Sequence, residues 1–220
     1  MRKAYELKPG DASVVMELAR HLFSAGREHS DLGRSVSEMA LQADPLNPLN
    51  WVQRSWTHYT TGRLAEAEQA TQRAIELSDP GNPARTYAAY GLVIGGRRPE
   101  AIALLDQVAS AVGNTVYGSL SAFLARALQG DAPNAVGHVT ATLEQSAHWV
   151  EYLAWFLANG YALIGRRDDA LRWLRETVDR GFINYPVLAR LDPSLESIRG
   201  DAEYKALMQQ VERRWRAFEV

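Results

Sequence analysis

The sequence predicts an all-α solenoid: antiparallel helix pairs stacked side by side and closed by a final capping helix. Three observations predict it. A short phrase, Gly62-Arg63-Leu64-Ala65-Glu66-Ala67, returns in altered form at Gly96–Ala101, Gly130–Ala135 and Gly165–Ala170. The glycines of these copies are 34, 34 and 35 residues apart, a fixed period in the range of stacked helical repeats. The last forty or so residues abandon that period and end in a helix with a single apolar stripe, as a solenoid's terminal cap requires.

In chain order, Met1–Lys8 reads as the second helix of a pair whose first helix is missing, because Ala4 precedes Pro9 as Ala40 precedes Pro45. That spacing suggests a chain cut from a longer one. The first complete pair is Val14–Ala25 and Gly33–Ala43, joined by a long connection that starts at Gly26-Arg27, 36 residues before Gly62. Asn50–Thr61 and Ala65–Leu77 follow, stopped by the Pro80-Gly81-Asn82-Pro83 cluster. Next come Arg85–Ile94 with Pro99–Val112, Val116–Gln129 with Pro133–Gln145, and His148–Ile164 with Asp168–Arg180.

Each part of the recurring phrase has a mechanical role. The glycine can adopt the left-handed conformation that ends the first helix. Pro99 and Pro133 stand in a first turn, where a missing N–H costs nothing. Glu66, Glu100 and Asp169 favour the positive end of the helix dipole. Alanines 67, 101, 135 and 170 let the paired helices approach closely. The final helix, Ala202 to Phe218, places Tyr204, Leu207, Met208, Val211, Trp215 and Phe218 on one stripe. The organisation is thus an array over 1–178, a half repeat at 1–10 followed by about five helix pairs, and a closing segment over 179–220 with its capping helix.

The phrase, the small residues before it (Ala19, Ser55, Ala89, Ala158), Ala74, the terminal prolines and the aromatics Trp51 and Tyr161 resemble tetratricopeptide repeats. Arg54 and His58 depart from that motif, and the fourth unit keeps little beyond Gly130 and Ala135. The resemblance implies a right-handed superhelix whose first helices line a concave groove for a peptide or partner helix. The tail, with Gly181-Phe182, then Asp192-Pro193, then Arg199-Gly200-Asp201, is similar to the segment that closes such arrays in bacterial signalling proteins. That similarity implies a docking or sensory part of a larger regulatory protein.

Counting back from each glycine places candidate groove residues on the first helices. Six before stand Arg20, Trp56, Tyr90, Leu124 and Asn159; three before stand Phe23 and Tyr59; Tyr87 and Tyr117 lie one or two turns further down. Arg20, Trp56, Tyr59, Tyr87, Tyr90, Tyr117 and Asn159 form the expected partner-binding set, since aromatics and arginine dominate interface energetics. The Lys and Asn pattern of a carboxylate clamp is absent. The competing expectation is a homodimer formed through the uncovered N-terminal half repeat.

A net charge of −2 gives no basic stripe for nucleic acid. With no cysteine there is no thiolate chemistry, which suits a cytoplasmic chain. The most lipid-like stretch, Trp149–Ile164, is shorter than a bilayer span and reads as a buried helix, so no membrane partner is expected. The histidines at 21, 29, 58, 138 and 148 show no metal-site spacing. No nucleophile elbow or phosphate loop is present, and the reading is of a non-catalytic scaffold without cofactor.

Overall fold

Small polar residues start most of the helices. Asp11, Ser30, Asn47, Asn82, Thr115 and Asp201 each accept a hydrogen bond from a backbone N–H of the first turn they precede. Arg63, Arg97 and Arg166 occupy the same position without a side-chain cap, and Glu66, Glu100 and Asp169 compensate from within the first turn. The repeated glycines 26, 62, 96, 130 and 165 all take positive φ, between 66° and 77°, as the left-handed stop requires.

The computed structural model describes residues 10–219 together with Tyr5, Leu7 and Lys8. The expected half repeat at 1–10 therefore falls largely outside the described residues. The helices are α1 (Ala12–Ser24), α2 (Asp31–Ala43), α3 (Pro48–Thr60), α4 (Leu64–Glu76), α5 (Pro83–Ile94), α6 (Arg98–Val112), α7 (Val116–Gln129), α8 (Ala132–Gly137), α9 (Ala141–Ala147), α10 (Glu151–Leu163), α11 (Arg167–Asp179) and α12 (Ala202–Ala217). A π-helical turn, Val187–Leu191, and a 3₁₀ segment, Pro193–Ile198, connect α11 to α12. Among the described residues there is no strand and no helix long and apolar enough to cross a membrane.

The helices form an α-solenoid. Consecutive helices pack as pairs, and the first helices α1, α3, α5, α7 and α10 also pack on one another in sequence to make an inner layer. Ala67, Ala101, Ala135 and Ala170 are fully buried in the pair contacts. Two expected elements differ. The second helix of the fourth unit breaks at Gly137, and Thr140 restarts it by accepting from the Leu143 N–H. The lipid-like helix starts only at Glu151, leaving Trp149 in the preceding turn, 79% exposed.

The closing segment does more than cover the last pair. From Gly181 (φ +102°) it crosses the interior and meets α1. The Ile183 N–H donates to the Ser24 carbonyl at 2.8 Å, and the Asn184 side-chain amide donates to the Phe23 carbonyl at 2.8 Å. Further on, the Arg27 guanidinium donates to the Phe218 carbonyl (2.8 Å) and lies over the Trp215 ring, 5.3 Å from its centroid. The array closes on itself. Its accessible surface, 9967 Å², matches the roughly 10,000 Å² expected of a compact monomer of 24.5 kDa.

Candidate functional site

Closure turns much of the inner layer into core. Trp56 is 1% exposed and stands at the centre of an aromatic cluster. Its ring lies 5.2 Å from Phe23, 5.8 Å from Tyr90, 5.7 Å from Tyr152 and 5.8 Å from Trp155, centroid to centroid. Phe182, carried in by the closing segment, packs tilted against Trp155 with ring centroids 4.6 Å apart. The groove expected along the whole concave side is thus filled over part of its length by the chain's own rings.

The candidate residues accordingly divide. Tyr59, Tyr90 and Asn159 are buried and face no open surface. Tyr59 packs into the space that Gly91 and Gly95 leave, where a Cβ on Gly95 would come within 2.8 Å of the ring and hydroxyl. Tyr90 and Asn159 stand close to the buried carboxylate of Asp192, which belongs to the closing segment and accepts from the Trp155 indole at 3.0 Å. Burial pushes the Asp192 carboxyl above its ordinary range. The closing segment removes Tyr90 and Asn159 from contact with a partner, and the neighbouring repeat covers Tyr59.

Arg20, Trp56, Tyr87 and Tyr117 come together instead, in a cavity of about 440 Å³ that opens to solvent. Leu49, Pro83, Tyr117 and Tyr152, which share its wall, each stand thirteen residues before a repeat glycine: 62−49, 96−83, 130−117 and 165−152. The site is therefore the end of the inner layer where α3, α5, α7 and α10 begin, and Met16, Glu17 and Arg20 of α1 complete the wall. Counting back six residues found the layer, but the open end lies two turns further on. Tyr152 and Trp149 join the wall without having been expected from the sequence. The thirteen-residue offset already marks Tyr152, whereas Trp149 lies in an irregular turn with no register to mark it.

A polar rim orders the cavity. The Tyr87 and Tyr117 hydroxyls are hydrogen-bonded at 2.9 Å. Ser24 donates to the Tyr152 hydroxyl at 3.0 Å, which in turn donates to the Arg20 carbonyl at 3.2 Å. Arg20 pairs with Glu17 at 2.9 Å and with Glu151, and its guanidinium lies 5.5 Å from the Tyr152 ring centroid. Burial opposes the Arg20 charge, but Glu151, Tyr152 and Glu17 outweigh it and hold the group above its ordinary range. Among the described residues no group of three or more histidines and carboxylates is arranged to hold a metal ion.

Helix pairs recur at a period of about 34 residues, each first helix ended by a left-handed glycine and each second one seated on a buried alanine. That pattern resembles the tetratricopeptide repeat. No family model and no curated protein matches the sequence. Solved structures with a similar arrangement of helices include PilW, a widely conserved type IV pilus biogenesis factor. That match has a TM-score of 0.49 and 18% identity over 90% of this chain and 92% of PilW. Another is YrrB, a TPR protein with an unusual peptide-binding site, at a TM-score of 0.42 and 16% identity over 95% of this chain and 97% of YrrB.

Proposed function

We propose that this tetratricopeptide array is a non-catalytic interaction scaffold that grips a short polypeptide segment in the cavity where α3, α5, α7 and α10 begin. The observation that carries the reading is the convergence of Trp56, Tyr87, Tyr117 and Tyr152 on one open apolar cavity. Its volume of about 440 Å³ lies in the range of ligand-sized sites, roughly 300–1,000 Å³. The neighbouring Trp149, exposed at the mouth, is the residue type most often found as an interface anchor. Likeness of the closing segment to those of bacterial signalling proteins supports a docking role within a larger cytoplasmic regulator.

Site-specific photocrosslinking tests the site. A photoreactive phenylalanine at position 117 or 149 is expected to capture a partner in cells, whereas the same group at Leu64, exposed on α4, captures none. Capture from position 64 with none from 117 and 149 overturns the assignment.

A second reading is self-association at the N-terminal end. Tyr5 packs on α2 through a hydroxyl contact of 3.4 Å to the Met39 sulfur, while Leu7 beside it is 73% exposed. Sedimentation over a wide concentration range tests it, and a strict monomer rules it out.

A further inference from the structure

We propose that the segment held in this cavity carries a lysine or arginine side chain set among apolar residues; this deepens the functional reading above and rests on it. Among the described residues, three charged side chains line the cavity: Glu17, Arg20 and Glu151. Two carboxylates against one guanidinium leave the wall with a formal charge of −1 (−2 + 1). The Arg20 guanidinium is already engaged, its Nε donating to Glu17 at 3.0 Å and its Nη1 to Glu151. It therefore has little to offer a carboxylate ligand.

The aromatic wall points the same way. Ring faces carry negative quadrupole potential and attract ammonium and guanidinium groups. At this rim the chain itself uses them so: Arg20 lies 5.5 Å from the centroid of Tyr152, and Arg180 lies 5.6 Å from that of Trp149. Tyr87 and Tyr117 line the same cavity, half-buried, beside a Glu17 side chain that is 39% exposed. A long cationic side chain also suits the shape, since its methylenes cover apolar wall while its charge stays near the rim carboxylates. Met16, Leu49 and Val52 supply apolar wall for the residues flanking it. Among the described residues that line the cavity, an acidic segment would meet Glu17 and Glu151 with no unengaged cation to answer them.

Selection from a randomised heptapeptide display library on the immobilised full chain tests the inference. Lysine and arginine together are expected to be enriched over aspartate and glutamate by about fivefold relative to the starting library, the discrimination that one cation–aromatic contact provides. Glu17→Gln is expected to remove most of that bias while apolar sequences are still recovered. Recovery of apolar or acidic sequences with no basic enrichment overturns the cation inference and leaves the cavity assignment standing. Equal recovery by the Tyr117→Ala/Trp149→Ala double variant overturns the cavity assignment itself. Recovery of nothing above uncoated support overturns both.

Discussion

The indole N–H of Trp215, on the last helix, donates at 3.1 Å to the carbonyl of Gly26, at the end of the first. Those residues are 189 positions apart, and their contact joins the two ends of the repeat array. It also gives Gly26 a duty that the other repeat glycines lack. A Cβ at Gly26 would come within 2.6 Å of the Trp215 indole nitrogen, whereas one at Gly62 would meet nothing within 4 Å. Both have positive φ. Gly62→Ala is expected to cost only left-handed strain, about 1–2 kcal/mol. Gly26→Ala adds overpacking of roughly 1–3 kcal/mol and shifts the Trp215 emission. Urea unfolding of the two variants, followed by fluorescence, checks the difference.

The same seam makes stability depend on pH. Glu28 is 5% exposed, beside His29 at 3.6 Å and the Asn184 amide at 3.3 Å. Burial raises its carboxyl from the ordinary 4.5 to about 7, against partial relief from hydrogen bonds and Arg27. The folded chain therefore holds a proton there that the unfolded chain releases. The stabilisation is complete below pH 4.5 and is lost as pH rises to about 7. Glu28→Gln mimics the protonated form. It is expected to match the wild type at pH 4.5 and exceed it by about 3 kcal/mol at pH 8, in paired denaturation curves that cancel the opposing titration of His29.

Asp192 holds the closing segment against α10. It accepts from the Trp155 indole at 3.0 Å and from the Ser194 N–H at 2.9 Å, with no exposed surface. Asp192→Ala strands a buried indole N–H and is expected to cost about 1–3 kcal/mol. Asp192→Asn keeps an oxygen for it and is expected to cost less. Chemical denaturation ranks the two; an equal loss in both would mean that the carboxylate charge itself matters.

Trp56→Ala is expected to destabilise by roughly 3–5 kcal/mol, the usual loss for a fully buried large aromatic. Because Trp56 both lines the cavity and fills the core, a binding defect in that variant would not separate a lost contact from unfolding. Trp149→Ala, on a residue 79% exposed, is expected to leave the melting temperature unchanged while weakening partner binding. Thermal melts alongside a binding titration separate the two.

The repeat was legible because its signals are local. A left-handed glycine, a first-turn carboxylate and a small residue at the pair contact each act within one helix connection, so residues 62–67 carry their own instructions. The direction of the inner layer was legible for the same reason, from offsets to Gly62, Gly96 and Gly165. What those offsets could not carry is how far the layer curves. Contacts such as Ser24 with Tyr152 and Arg27 with Phe218 span 128 and 191 positions and depend on small rotations accumulated over every pair. They decide whether Tyr90 and Asn159 face a groove or a core. The break at Gly137–Thr140 did have a local signal: a glycine, and a threonine able to cap the helix that follows it.

Closure of the array around its own aromatic core, with the cavity where α3, α5, α7 and α10 begin left open, is the claim on which the site depends. Small-angle scattering of the purified monomer tests it most directly. A closed array of 220 residues predicts a radius of gyration of about 17 Å, the value of a compact domain of that length. An elongated distance distribution, with a radius well above about 17 Å, would mean an open superhelix and would contradict the account.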